Sequence, residues 1–389
     1  MDSESFTDKA PGRLTRTPGG NPAFVPAAAP RRLALSAEAV DLLDEASNRL
    51  GVLEGVGRRL PNPELLIGPY LRREAVLSSR IEGTQTTLSD IYASEAQLEL
   101  PIAGDVREVL NYMDAYRYGL QRLETLPLSL RLIRELHQRL LRGVRGAAKQ
   151  PGEFRRYQNF IGGSSEENAT YVPPPPNELG ACLGDLERFA HERGSMRPLV
   201  QMAVLHYQFE AIHPFGDGNG RVGRLLMGLF LTDRGLMPQP LLYLSPFFEN
   251  RRREYYGGLM RVSTHGDWDG WVRYVLEAVK TQADEAVALA DELQTLQARY
   301  REEIQKRRSS VKALALVDML FVNPLFTVRH VQERLGVSAP TARTAVRALM
   351  DAGILRELDP ARKWQRIYIA DELYRLIGGE RPDTPARGG

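Results

Sequence analysis

A single cysteine, Cys182, rules out an internal disulfide framework and fits a reducing compartment. The histidines are few and scattered, and no second cysteine stands near them, so zinc-type ligand spacing is missing. No apolar run approaches the roughly eighteen residues of a membrane span, and the N-terminus, MDSESFTDKAPGR, holds no signal-peptide core. Charge of one sign is missing too. The formal net charge is +2, so contact with nucleic acid would need a local basic patch. These absences lead us to expect a soluble, cytoplasmic protein with no membrane partner. With 389 residues, 43% of them hydrophobic, the chain can form two or three domains and bury a sizeable core.

What is present is mostly helical periodicity. Residues 1–30 are rich in proline, glycine and alanine and read as a disordered tail. A helix is expected from Ser36, with Val40, Leu42, Leu43, Ala46 and Leu50 at three- and four-residue spacing. A second helix, from about residue 63, runs into Ser78 and Glu82, which share a face, and ends at Gly83. Glu82 opposes the helix dipole there; a solvated carboxylate and one facing a buried partner are both open. Two further helices span about 106–141, with His137 on an apolar face as a core residue. Residues 152–176 hold two β-prone runs about a Gly/Ser/Asn bend and read as a hairpin flap or an irregular loop. A flap with a free edge can hold an extended peptide by strand addition.

Helices are expected next at 178–192, 198–212, 248–262 and from about 267, the last continuing as a polar linker through 281–308. Residues 309–378 read as three helices and a two-stranded wing, the helix-turn-helix plan, ahead of a tail at 379–389. The third of these helices starts at Ser338 and exposes Arg343, Thr344 and Arg347. Arg362, Lys363 and Arg366 decorate a hairpin pairing 354–355 with 367–369. Contact with DNA and a protein-interaction role are both open for this unit.

The densest chemistry lies at residues 213–224, HPFGDGNGRVGR. The residues that follow are apolar nearly all round, so the loop sits on the N-terminus of a buried helix, a place for an anion such as phosphate. His213 suits a general base. Asp217 suits Mg²⁺, which binds through one or two carboxylates plus substrate phosphates. Gly216, Gly218 and Gly220 let backbone N–H groups turn toward an anion, and Arg221 and Arg224 can both reach its oxygens. No Gly-Lys-Ser/Thr follows, so the Walker signature is absent.

The same stretch matches the Fic-domain pattern H-P-F-x-D-G-N-G-R-x-x-R at every specified position, and the chain resembles that family over most of its length. Residues 152–176 look like its flap, with Phe160, Ile161 and Gly162 toward the target. The C-terminal unit is similar to the winged helix appended to many bacterial members. Residues 78–83 match the family's inhibitory pattern, Ser/Thr-x-x-x-Glu-Gly/Asn. The resemblance implies a mostly α fold: an N-terminal helical region over 31–105 with the inhibitory helix at about 63–83, a helical core with a small β-hairpin flap over 106–280, and a winged helix.

It also implies transfer of AMP from ATP to a Ser, Thr or Tyr hydroxyl of an unidentified target protein or of the chain itself. His213 is then the base, and Asp217 holds Mg²⁺. The backbone from Gly216 through Gly218, Asn219, Gly220, Val222 and Gly223, with Arg221, surrounds the phosphates, and Arg224 fixes the γ-phosphate. Tyr255 and Tyr256 match the aromatic pair near the adenine, while Ser263 stands where some members have an asparagine. Glu82 pairs with Arg224 and inhibits, with Ser78 beside it. A homodimer also fits the resemblance. Two alternatives stay open: a DNA-binding regulator with a nucleotide-sensing core, and removal of AMP with Glu82 positioning water.

Overall fold

The computed structural model describes residues 1–59, 63–96, 104–307, 310–361 and 365–378. Its first thirty residues are not a disordered tail. Strands β1 (Gly12–Arg16) and β2 (Pro22–Pro26) pair antiparallel, with Leu14 opposite Phe24. Phe24 is buried, its N–H donates to the Val172 carbonyl at 2.9 Å, and its ring lies 6.3 Å from that of Tyr171. Composition describes a segment in isolation; here one aromatic finds an apolar seat on the rest of the chain.

Helix α1 (Ala37–Arg59) starts at Ser36, whose hydroxyl accepts the Ala39 N–H at 3.2 Å. Leu43, Ala46, Leu50 and Leu53 form its buried stripe, whereas Val40, expected inward, is exposed. Helix α2 (Glu64–Ile81) ends before Gly83, which takes a φ of +93°. A short helix that periodicity did not show, α3 (Leu88–Glu95), opens on a reciprocal capping box between Thr87 and Asp90. Then come α4 (Gly104–Leu123), α5 (Leu130–Leu140) and α6 (Pro176–His191).

The centre is a pair of helices, α7 (Pro198–Ile212) and α8 (Asn219–Asp233), joined by the glycine-rich loop. Every residue of α7 from 199 to 212 is buried except Glu210. A helix of this kind is stable only when neighbours surround it, and it fixes where the loop begins. The span expected as one helix at 248–262 breaks at Arg251 into α9 (Ser245–Asn250) and α10 (Arg252–His265).

Helix α11 (Trp268–Lys306) runs 39 residues, or about 58 Å. Its second half is not a bare linker: Ala283, Ala286, Ala290, Leu293, Leu296, Tyr300 and Ile304 are buried. The alanines of that stripe carry little hydropathy, which is why the stretch reads as polar.

The C-terminal unit comprises α12 (Val311–Val322), β3 (Leu325–Thr327), α13 (Val328–Leu335), α14 (Ala339–Asp351), β4 (Arg356–Glu357), β5 (Ile367–Ile369) and α15 (Asp371–Leu376). The sheet order is β3-β5-β4, all antiparallel. The expected strand at 354–355 falls two residues later, because the Ile354 and Leu355 N–H groups close α14 on the Leu349 carbonyl. Strand β3 and helix α15 are additions to the expected plan. Arg343, Thr344 and Arg347 are exposed on α14, as expected, and so is Arg366; Arg362 and Lys363 lie outside the described residues. Asn323 donates to the Tyr92 carbonyl at 3.2 Å, and Tyr374 meets the Tyr92 ring edge-on at 6.2 Å, which docks this unit on α3. Among the described residues, no helix is long and apolar enough to cross a membrane.

Candidate active site

The loop is clamped before any side chain faces a ligand. Asn219 accepts the Phe215 N–H and donates to the Phe215 carbonyl, both at 2.9 Å, closing the turn on itself. This side chain is therefore occupied by the turn and leaves only its backbone for a phosphate. Phe215 is buried and stacks on His137 at 3.7 Å. His137 is the core residue expected: its Nδ1 accepts the Gly152 N–H at 2.8 Å, so Nε2 carries the proton and donates to the Asp217 carbonyl at 3.0 Å. Burial lowers its pKa to about 4.

His213 ends α7 in the left-handed region, with φ +49°. Its Nδ1 lies 3.3 Å from the Glu210 carbonyl, and as donor there it leaves Nε2 bare to take a proton. Burial lowers its pKa to about 4, so the ring is neutral near pH 7. Gly218 enters α8 with φ +76°, a conformation glycine adopts freely. Val222 and Gly223 lie within the helix, and the Val222 N–H already donates to Gly218 at 3.1 Å. The N–H groups aimed out of the helix are those of Asn219, Gly220 and Arg221. Asp217 is one-third exposed (33%), and its Oδ1 accepts the Gly218 N–H at 2.6 Å.

The two arginines separate into different tasks. Arg221, expected as a phosphate fork, is fully buried and bonds Glu108 of α4 at 2.9 Å. Thr84 donates to the same Glu108 oxygen at 3.0 Å. The Arg221 side chain thus ties α8 to α4 beneath the loop. Glu108→Ala should strand that guanidinium and destabilise the fold by about 3–5 kcal/mol, seen as a lower thermal unfolding midpoint. An unchanged midpoint would contradict the assignment.

Arg224 points the other way. Its Nε donates to Ser78 Oγ at 2.9 Å, and its Nη2 donates to the Ser78 carbonyl at 2.9 Å and to Glu82 Oε1 at 2.8 Å. Burial pushes the Glu82 carboxyl up, but the Arg224 guanidinium overrides this and holds it below the usual carboxylate range. Burial likewise opposes the charge on Arg224, and Glu82 more than restores it. Gly220 permits the approach: a Cβ there would fall 2.2 Å from Glu82 Oε1. The expected pairing of Ser78, Glu82 and Arg224 is present.

Beside this pair opens a cavity of about 490 Å³, of a size that suits a small ligand, lined by Glu82, His213, Arg224 and Tyr256 among others. Tyr255, which also borders it, is buried and bonds His206 Nε2 at 2.8 Å. Its neighbour Tyr256 is 41% exposed, so the two tyrosines are not equivalent. Ser263 lines the cavity and bonds Tyr207 at 2.9 Å.

Ile161 and Gly162 line the cavity as well, whereas Phe160 is exposed and does not line it. The expected flap hairpin is reduced to one antiparallel bridge, Ile161 to Tyr171. Its flanks bond elsewhere: the Arg155 N–H donates to Pro214 at 2.9 Å, and Asn159 Nδ2 to Phe215 at 3.0 Å. Prolines 173–176 have no N–H to offer a ladder. Sequence reasoning missed Arg155, buried and donating to the carbonyls of His213 and Pro174 at 3.0 and 2.6 Å. It missed Glu108 and Glu210 too. None of the three belongs to a motif or stands out by spacing.

Residues 40–121 match the Fic/DOC family N-terminal domain and residues 127–231 the Fic/DOC family domain. The protein adenylyltransferase Fic of Drosophila grimshawi is 31% identical over 216 residues, 52% of this chain and 40% of that one. The protein of the same name from Drosophila ananassae is 30% identical over 213 residues, 52% of this chain and 39% of that one. The match thus spans about two-fifths of the length of these curated relatives. The crystal structure of a Fic family protein from Desulfovibrio desulfuricans G20 superposes with a TM-score of 0.54 at 23% identity, covering 87% of this chain and 97% of that one. Fic-1 from C. elegans (residues 134–508) superposes with a TM-score of 0.52 at 22% identity, covering 65% and 74%. Both share the fold. Over residues 40–121 and 127–231, then, the chain carries the two Fic/DOC family domains, and it shares the fold of both solved structures.

Proposed function

We propose that the chain transfers AMP from ATP to a hydroxyl of a target protein, and of itself, and that Glu82 holds this activity in check. One observation carries the reading: a neutral His213 with Nε2 bare stands at the same cavity as the Arg224 fork. In the step proposed, His213 Nε2 takes the proton of the attacking hydroxyl. The hydroxyl oxygen bonds to the α-phosphorus, the bond from that phosphorus to the bridging oxygen breaks, and pyrophosphate leaves. The N–H groups of Gly220 and Arg221 at the head of α8 face the oxygens on which charge builds. Mg²⁺ would supply charge neutralisation at the phosphates, and Asp217, one-third exposed and 3.7 Å from the Arg221 guanidinium, is the carboxylate that would hold it.

Arg224 is the group that would fix the γ-phosphate, and Glu82 and Ser78 occupy it. ATP bound beside an occupied fork sits misaligned for in-line attack. Ile161, at the bridge above the cavity, is the point where an extended target segment would lie. Intact mass measurement of the Glu82→Gly protein after incubation with ATP tests the reading: the expected result is a gain of one AMP, and an unmodified mass would sink it.

A second property is supported by α14, where Arg343, Thr344 and Arg347 are exposed in the place of a recognition helix. We infer that this face contacts duplex DNA. Gel shifts should show binding that weakens steeply with salt and is lost in Arg343→Ala/Arg347→Ala; no shift even at low salt would end this reading.

A further inference from the structure

Glu210 is the one residue of α7 between 199 and 212 that is not buried, and it turns toward the cavity. Its Oε1 is nonetheless enclosed and has no hydrogen-bond partner among the described residues. The carboxyl lies against the second turn of α8, where a Cβ on Gly223 would fall 2.2 Å from Oε1. His213, Arg224 and Tyr255 border the same space. An enclosed carboxyl oxygen with nothing to bond is costly and calls for an explanation. Neighbouring buried carboxyls differ: Glu74 takes a hydroxyl from Tyr112 and from Ser245, and Glu108 takes Arg221.

The other oxygen, Oε2, is not enclosed and has no hydrogen-bond partner among the described residues either, so a ligand in the cavity can partner the carboxyl there. An ionised Glu210 would meet a polyphosphate as a like charge, whereas a neutral carboxylic acid offers it an O–H. Resting on the reading of this cavity as an ATP site, we propose that Glu210 is a nucleotide-binding residue that acts as the neutral acid, donating its carboxyl O–H to a phosphate oxygen beside Arg224. The environment favours that form: burial, opposed by Arg224 and assisted by Glu82, raises the pKa to about 8.

The groups facing Glu210 leave it alone in its titration window. On α7, burial lowers His206 to about 3 and His213 to about 4, so both are neutral above pH 6. On α10, Tyr255 and Tyr256 are raised by burial and stay protonated. Glu82, at the end of α2, is held low by Arg224 and stays ionised, Arg224 is raised by Glu82 and stays charged, and Arg252 also borders the space. The terminal phosphate of ATP has ionised below this window.

Calorimetric titration with ATP and magnesium from pH 6.5 to 9 tests the role, using Glu82→Gly alone and with Glu210→Gln or Glu210→Ala. Removing Glu82 takes away a like charge, so the midpoint in this background falls below 8. In the parent, Kd should rise above that midpoint by up to about tenfold per pH unit, since binding then requires uptake of a proton. Glu210→Gln keeps an N–H donor and should bind with a flat profile near the parent's low-pH affinity. Glu210→Ala should be flat and weaker at every pH by about tenfold, the loss of one charge-assisted hydrogen bond. A Gln variant that keeps the parent's pH slope, or an Ala variant that binds as the parent does, overturns the inference and leaves the ATP reading intact. Failure of all three proteins to bind ATP overturns both. A purely structural Glu210 would weaken both variants and leave the slope in Gln, so misfolding of the Ala variant does not rescue the idea.

Discussion

Replacing Glu82 with glycine should raise transfer of AMP to protein by on the order of a hundredfold, the scale on which misplacement of a reacting group slows an enzyme. Glu82 contributes one of three hydrogen bonds on Arg224, at 2.8 Å, and Ser78 contributes the other two. Removing the carboxylate frees the Nη2 face of the guanidinium that the γ-phosphate needs. Ser78 still holds the stem, so the fork is released without being unmoored. Glu82→Gln should give a smaller rise, because the amide oxygen still accepts but without the charge that makes the pair strong. Ser78→Ala should raise activity less than Glu82→Gly, since it loosens Arg224 without unblocking it. Initial rates with labelled ATP check the order, and equal rates for wild type and Glu82→Gly would remove Glu82 as the inhibitor.

In that released background, His213→Ala should cut the rate by about 10²–10⁴-fold, the usual contribution of a positioned base. Binding of ATP should survive, because His213 receives only the acceptor proton. The pH profile gives a second check. Burial lowers the imidazole to about 4, so the base is deprotonated through the neutral range. The acid limb of the rate should therefore lie near pH 4, not near the 6.5 of a free histidine. The sign follows from the direction: activity is present above the lowered pKa and disappears as the pH falls through it. An acid limb at 6.5, or a rate untouched in His213→Ala, would take the base assignment away.

Local patterns made much of this site legible. The loop at 213–224 announced itself because glycines, a histidine, an aspartate and two arginines stand within twelve residues at the head of a helix too apolar to be exposed. Glu82 became readable only through its spacing to Ser78 and the family resemblance. Arg221 shows the limit. In sequence it equals Arg224 as a phosphate fork, and only a partner 113 residues away, Glu108, turns it into a buried strut. Periodicity carries no trace of such a pairing. The same holds for Phe24, whose seat on Val172 and Tyr171 orders a segment that composition assigns to disorder. The flap erred differently: its residues have strand propensity, but Arg155 and Asn159 bond to the glycine-rich loop and four prolines interrupt the ladder. Propensity describes what a strand could do; the loop it lies against decided.

The central claim is that the α-phosphoryl group, with its adenosine, moves to protein. Incubating the Glu82→Gly protein in parallel with ATP labelled at the α- and at the γ-phosphate separates this from every phosphate transfer that would use the same loop. The account predicts that protein retains label from the α position alone, while γ label leaves with pyrophosphate. Protein labelled from the γ position, or from neither, would contradict it.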